Sequence, residues 1–167
     1  IELSLRSAET PSFVQRVSLL SGLSEAQVPI VAPVTVRAEA TLQDKIATII
    51  ERQVGSGDTV EAHVTIMEPD ATITVKLIDP SGQIVPLSGS PRAIVEAESD
   101  AFSYRGTLGF ISGVATGRVK SGARYRVTLP SPTESGEFYD QTQPYLPRTV
   151  VEYLTVDSAG SNEVLFT

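Results

Sequence analysis

The sequence predicts a mainly β domain, an antiparallel β-sandwich or open barrel of immunoglobulin-like (Ig-like) type, with one or two short helices. Three observations favour this fold class. Short segments in which apolar and polar residues alternate recur along the chain, as in half-buried strands. Turn residues separate these segments at close intervals, which is typical of sandwiches and barrels. The 167 residues are 41% hydrophobic and 20% charged, an ordinary composition for a folded domain.

The first helix is expected near the N-terminus, within residues 1–57. Residues 1–6 alternate between apolar and polar side chains and predict a strand. Residues 10–22 then fit a helix, because Thr10 can cap it and apolar residues follow at spacings of three and four. A strand over residues 12–20 is the competing interpretation.

A second helix is expected before the β region begins. Residues 28–38 are rich in β-branched side chains but contain two prolines, which favours an edge strand or a docked arm over a central strand. Residues 41–53 give the best helix candidate, because Thr41 can cap it and an apolar stripe follows with helical spacing.

From Asp58 onward, short strands dominate the pattern. A hairpin is predicted over residues 72–87, around a turn at Asp79-Pro80-Ser81-Gly82 that has the residue order of a type I turn. The other alternating segments are residues 60–66, 93–98, 101–107, 108–111 and 118–129, the last with a turn at Ser121-Gly122.

The composition changes after residue 129. We therefore expect a mainly β domain over residues 1–129 and a Pro-rich connector with a short helix over residues 130–167. The helix is placed at residues 150–154, where Val150, Val151 and Leu154 have helical spacing. The small polar residues 157–162 read as a second linker, and residues 164–166 as a truncated element.

Composition excludes several functions. The chain has no Cys, so it can have no thiol nucleophile, disulfide or thiolate metal site. Its only histidine, His63, is expected to face solvent from a strand, which argues against an imidazole-rich metal site. A net charge of −7 argues against nucleic-acid binding. The apolar stretches are too short for a membrane span. No cofactor, metal or catalytic residue is predicted, and any catalytic core would lie outside this chain.

A binding surface is predicted at Phe102, Tyr104, Arg124 and Arg126. Arg124 and Arg126 flank Tyr125 in an alternating strand, so both face outward and could hold a small anion or a carboxylate of a partner. Phe102 and Tyr104 could form an aromatic platform for a sugar, although core packing is the commoner role of such residues.

Carboxylates form a second group of candidates. Glu96 and Glu98 lie on one face of a predicted strand, and Asp100 follows. Another group comprises Asp58, Glu61, Glu68 and Asp70. Such residues could bind Ca²⁺ or act as the acid and base of glycoside hydrolysis. The simpler interpretation is that they keep the protein soluble and protect strand edges.

Residues 120–128, Lys-Ser-Gly-Ala-Arg-Tyr-Arg-Val-Thr, precede a Pro-Ser-Pro-Thr segment and then Tyr-Leu-Pro at residues 145–147. Tyr153-Leu154 follows within residues 150–156. This order resembles the region before the catalytic core of membrane-anchored bacterial transglutaminase-like proteins. The family's Leu-Pro ending is replaced here by Thr-Val-Asp, and residues 59–77 are loosely similar to the strand that opens the family's region.

The resemblance implies a non-catalytic, extracytoplasmic (periplasmic or cell-surface) β domain, located between membrane helices and a core with a Cys-His-Asp triad. No catalytic residue can be carried over to this chain. The implied partner is a neighbouring domain of the same polypeptide or another protein. The alternatives are a free-standing carbohydrate- or protein-binding β-sandwich module, and a hydrolase that uses Glu96, Glu98 or Asp100.

Overall fold

The computed structural model describes residues 2–7, 14–18, 34–40, 42–55, 57–58, 63–86, 91–131 and 149–167. Within these ranges the regular secondary structure consists of strands alone, which confirms the mainly β fold class. The described residues contain no helix long and apolar enough to cross a membrane. The thirteen strands of the described residues are β1 (Glu2–Ser7), β2 (Val14–Ser18), β3 (Val34–Glu39), β4 (Ile46–Thr48), β5 (Ile50–Val54), β6 (Ile66–Met67), β7 (Ala71–Leu77), β8 (Arg92–Glu98), β9 (Phe102–Gly109), β10 (Val114–Val119), β11 (Ala123–Leu129), β12 (Val150–Val156) and β13 (Gly160–Phe166).

Two sheets face each other across one apolar core. Their strand orders are β10-β7-β13 and β12-β11-β8-β9-β4-β6, and neither sheet closes into a barrel within the described residues. All pairs are antiparallel except β13 with β7. Alternation decides which side chains enter the core: in β11 every odd-numbered residue is buried, whereas Arg124 and Arg126 are exposed. The largest side chains with almost no exposure include Tyr125, Phe166, Ile73 and Leu129.

Strands β7 to β12 follow the order of an immunoglobulin-type sandwich. In that fold, strands G, F, C and C′ can share one sheet, while B and E belong to the other. β12, β11, β8 and β9 have the first arrangement, and β7 and β10 have the second. Where the chain crosses from β10 to β11, the Tyr125 hydroxyl donates to the Lys120 carbonyl at 2.6 Å and accepts from the Lys120 N–H at 3.0 Å. This tyrosine corner is a feature of such sandwiches.

Most of the segments predicted as strands from alternation are strands. Residues 93–98 lie in β8, and residues 118–129 contain β11 after the predicted turn. The two strands predicted at residues 101–107 and 108–111 are one continuous strand, β9. The segment at residues 60–66 is the exception. Residues 63–65 are not in a strand, β6 contains only two residues, and residues 59–62 lie outside the described ranges.

The helix predicted over residues 41–53 is wrong, because β4 and β5 occupy this segment. Ile46 pairs with Tyr104 of β9, so β4 adds to the large sheet, whereas β5 pairs with β3 in another sheet. One property of the sequence and one of the structure oppose a helix there. The isoleucines favour strands, and Asp44 has a φ of 58°, which a right-handed helix cannot contain.

The helix predicted over residues 10–22 is also wrong in its described part. Residues 14–18 form β2, as the competing interpretation of a strand over residues 12–20 predicted. Residues 10–13 and 19–22 lie outside the described ranges.

The C-terminal predictions need a similar correction. Residues 150–154 belong to β12 rather than to a helix, and residues 160–166 form β13 rather than a linker and a truncated element. β13 pairs with β7, far away in the sequence, and buries Val164 and Phe166 in the core. The boundary at residue 129 stays a prediction, because residues 132–148 lie outside the described ranges.

A third sheet has the order β2-β1-β3-β5. It confirms the strand predicted at residues 1–6. β3 lies between β1 and β5, so the prediction of an edge strand or docked arm is wrong. Residues 28–33 of the predicted segment, which include Pro29 and Pro33, lie outside the described ranges.

Hydrogen bonds join the segments between β3 and β5 to β9 and its preceding turn. The Ser103 hydroxyl donates to the carbonyl of Ala40 at 2.8 Å. The Ile49 N–H donates to the carbonyl of Ala101 at 2.9 Å. These contacts bring β3 close to the outward side of β8 and β9.

The predicted turn after β7 is confirmed. Its closing bond runs from the Gly82 N–H to the Asp79 carbonyl at 2.8 Å, and the Asp79 side chain accepts a bond from the Ser81 N–H. The return strand of the predicted hairpin is reduced to one bridge between Ile78 and Ile84, and residues 87–90 lie outside the described ranges.

Candidate interaction surface

The outward side of the large sheet carries a row of charged side chains. We call it the arginine face and define it by Arg124 and Arg126 of β11, Glu96 and Glu98 of β8, and Arg105 of β9. Alternation creates this face, because the residues between these positions are buried or half-buried on the core side. The prediction that Arg124 and Arg126 face outward together is confirmed.

Strand register places opposite charges beside one another. Arg124 is paired with Glu98, Arg126 with Glu96, and Glu96 also with Arg105. The distances are 3.7 Å from Arg124 Nε to Glu98 Oε2, 4.0 Å from Arg126 Nη1 to Glu96 Oε2, and 3.4 Å from Arg105 Nε to Glu96 Oε1. Each distance exceeds the length of about 2.9 Å typical of an N–H···O bond. These pairs therefore leave guanidinium donors available to a ligand.

The three arginine side chains remain accessible. Their exposed fractions are 59% for Arg105, 55% for Arg124 and 46% for Arg126. Ion pairs at this exposure contribute little to stability, typically about 0–1 kcal/mol. Three arginines against two glutamates leave this face with an excess of positive charge, although the whole protein has a net charge of −7.

An aromatic ring supports one of these arginines. The Arg124 guanidinium carbon lies 4.1 Å from the ring centroid of Tyr153, which projects from β12 and is 47% exposed. A cation–π contact of this kind contributes about 0.5–1 kcal/mol at an exposed site and keeps the guanidinium plane near the ring. Sequence reasoning missed Tyr153 because its segment was assigned to a helix.

A cleft of about 370 Å³ lies between β3 and the arginine face. Arg37 of β3 lines it and has a side chain only 14% exposed. Its guanidinium donates to Glu39 at 3.2 Å and to Glu51 at 2.9 Å, and lies 3.5 Å from Asp100. Burial alone would lower the pKa of Arg37, but the hydrogen bonds to Glu51 and Glu39 outweigh it and raise this pKa. Arg37 is therefore already occupied by carboxylates of the protein.

The two predicted aromatic binding residues belong to the core. Phe102 is 4% exposed and Tyr104 is 7% exposed, so both rings are buried in the core although both residues border the cleft. The Tyr104 ring meets the Tyr125 ring edge-on at a centroid distance of 6.1 Å. Burial, together with the charge of Asp44, raises the pKa of Tyr104 to about 12.

The remaining candidate residues of the described ranges do not converge, and the candidate Glu61 lies outside those ranges. His63 is exposed, as predicted, but lies outside any strand. Asp100 is fully exposed at the turn between β8 and β9. Asp70 binds Lys120 at 2.6 Å and Ser121 at 2.7 Å, at the crossing from β10 to β11. Within the described ranges, no group of three His, Asp or Glu side chains has the arrangement of a metal site.

The Asp70 contacts have an electrostatic consequence. The hydrogen bond from Lys120, followed by that from the Ser121 N–H, lowers the pKa of Asp70 to about 2. This carboxylate is therefore charged at neutral pH and fastens the corner that leads into β11.

No protein-family model, no curated protein and no solved structure shows a significant match to this chain.

Proposed function

We propose that this chain is a non-catalytic interaction domain that contacts a partner through the arginine face. The observation that carries the proposal is the loose pairing of Arg105, Arg124 and Arg126, each more than half or nearly half exposed and none closer than 3.4 Å to its glutamate. A partner carboxylate can form shorter, charge-assisted bonds with the same guanidinium groups.

The electrostatics favour an acidic partner. Residues outside the face carry more than the whole net charge of −7, because the face itself has an excess of positive charge. Such a distribution favours the approach of an acidic partner at the arginine face over approach at a surface of average charge. Complementary charge of this kind determines orientation and association rate more than it determines affinity.

The resemblance to the pre-catalytic region of transglutaminase-like proteins supports a wider proposal. In it, the chain is an extracytoplasmic β domain of a larger membrane-associated protein, and the partner is a neighbouring domain. Tyr153 and Leu154 of the resemblance lie in β12, beside the arginine face. The test is the complete reading frame. A downstream core with Cys, His and Asp in the family's order would support this proposal, and its absence would exclude it.

The carbohydrate-binding alternative depended on Phe102 and Tyr104. Burial of both rings removes the platform on which a sugar would stack. We therefore favour protein recognition over sugar recognition at this surface.

The binding proposal can be tested with poly-L-glutamate immobilised on a biosensor. A protein of net charge −7 should be repelled by this polymer unless a local positive surface binds it. We expect binding at low ionic strength that weakens as salt is added. The double variant Arg124→Gln/Arg126→Gln should lose it.

The matched control is the double variant Arg52→Gln/Arg118→Gln. It removes the same charge from exposed positions that are not part of the arginine face, on β5 of the third sheet and on β10 of the smaller sheet of the sandwich. Binding should survive in this control. Absence of binding by the natural chain, or equal loss in both double variants, would rule out the arginine face as the contact surface.

A further inference from the structure

We infer that the arginine face recognises an extended acidic peptide segment whose carboxylates occur at every second residue, bound along the boundary between β11 and β12. This inference rests on the proposed function and specifies the partner of the same surface. Three features carry it: the spacing of two arginines, the position of the glutamates and the position of Tyr153.

The spacing comes from the strand. Arg124 and Arg126 are separated by one buried residue on β11, so their Cα atoms are about 6.8 Å apart. Carboxylates on one side of an extended peptide repeat at the same interval, because such a peptide has the same rise per residue. A peptide that lies parallel to β11 can therefore match both guanidinium groups without bending.

The glutamates limit where an acidic peptide can lie. Glu96 and Glu98 project from β8, on one side of the two arginines, and repel carboxylates there. β12 flanks β11 on the other side and carries Val151, Tyr153 and Thr155 outward, with no acidic side chain among them. The favourable track for carboxylates therefore lies over β11 and β12.

Tyr153 adds a second contact on this track. Its ring is 47% exposed and lies under the Arg124 guanidinium. The guanidinium carbon lies over this ring at 4.1 Å from its centroid, and the edge of a guanidinium group can form two parallel bonds to one carboxylate. The aromatic ring thus restricts the movement of Arg124, while Arg126 supplies the next position of the repeat.

A pair of peptides with one composition separates this inference from the proposed function. One fluorescein-labelled peptide alternates Glu and Thr, and the other repeats Glu-Glu-Thr-Thr, so that no two of its Glu residues are two positions apart. Fluorescence anisotropy at low ionic strength should show binding of the alternating peptide about tenfold tighter, since one charge-assisted pair is expected to be lost in the Glu-Glu-Thr-Thr peptide.

Variants of the arginines test the geometry. Arg126→Gln should weaken binding of the alternating peptide about tenfold and abolish the preference between the two peptides. Arg126→Lys, which retains the charge but not the planar donor group, should also reduce the preference. Arg118→Gln on β10 should leave the affinity for both peptides unchanged. Circular dichroism should show that all variants remain folded.

Each outcome has a definite consequence. Equal binding of the two peptides, with loss in the Arg124→Gln/Arg126→Gln variant, would leave the proposed function standing and refute the spacing. If the protein binds neither peptide and does not bind poly-L-glutamate, both the proposed function and the inference about spacing are refuted. Tighter binding of a polyuronate of equal charge than of the alternating peptide would replace the peptide with an acidic glycan and so overturn the inference.

Discussion

Removal of one hydroxyl group should weaken the whole sandwich. Tyr125 is fully buried in β11, and its hydroxyl bonds to both backbone groups of Lys120, the carbonyl at 2.6 Å and the N–H at 3.0 Å. Tyr125→Phe removes these two bonds and retains the ring in the core. The perturbation therefore isolates the corner between β10 and β11 from the packing of the core.

The expected magnitude follows from the two lost bonds. A hydrogen bond contributes about 1 kcal/mol net to stability. Its loss costs more when the remaining donor or acceptor is partly buried and cannot form a hydrogen bond to water instead. Lys120 is half-buried, so we expect a loss of about 2 kcal/mol in the free energy of unfolding. For a chain of 167 residues, this corresponds to a fall of about 4–8 °C in Tm.

Urea unfolding followed by circular dichroism measures this loss. With an m value of about 2 kcal/mol per M, the midpoint should fall by about 1 M while m stays unchanged. The matched control is Tyr153→Phe, which removes a hydroxyl from an exposed ring and should leave the midpoint unchanged.

Hydrogen exchange provides a local readout of the same change. The Lys120 amide should exchange faster in Tyr125→Phe than in the natural chain, because its acceptor is gone. A midpoint shift below about 0.3 M, or unchanged protection of this amide, would show that the tyrosine corner does not fasten the crossing between the sheets.

Three further predictions concern the same core and corner. Gly106→Ala should lower the free energy of unfolding in urea by about 1–3 kcal/mol, since its methyl group would lie 2.7 Å from Cζ of the buried Tyr104. An unchanged unfolding midpoint would contradict this packing. Asp70→Asn should lower Tm at pH 7, but the difference should vanish near pH 2. The folded pKa of Asp70 lies below its ordinary value of 3.8, so its stabilisation is present above that pH and lost as pH falls through about 2. The difference in titration at 295 nm between the natural chain and Tyr104→Phe isolates Tyr104 from the other tyrosines and should show that it ionises near pH 12. Stability should fall as pH rises above about 10, because the folded state favours the neutral form of this tyrosine; ionisation of Tyr104 near pH 10 in the folded protein would contradict its burial.

Alternation predicted the centre of the sandwich well because it reports burial directly. In β8, β9 and β11, one face of each strand enters the core and the other faces outward, so the period of two survives in the sequence. The helix predictions failed for a related reason. Residues 41–53 and 150–154 happen to carry apolar residues at helical spacing, but long-range pairing with β9 and β11 fixes both as strands.

The candidate surface was predictable only in part. The outward direction of Arg124 and Arg126 follows from the burial of Tyr125 between them, which the sequence pattern shows. The approach of Arg105 and Tyr153 to these arginines depends on strand order and register, and neither can be deduced from a local pattern. The pairing of Arg37 with carboxylates depends on the third sheet, because Arg37 lies in β3 and its partner Glu51 in β5. The segments that contain β2 and β5 of this sheet were predicted as helices.

The corner and the arginine face are linked through a single residue. Tyr125 lies between Arg124 and Arg126, and its ring is fixed by the core while its hydroxyl is fixed by Lys120. A slip of β11 by one residue would expose this ring and bury both arginines without partners. Burial of an unpaired charge costs far more than one strand pairing can supply. The core therefore fixes the direction of both guanidinium groups before any partner arrives, so that binding need order only the ends of the side chains.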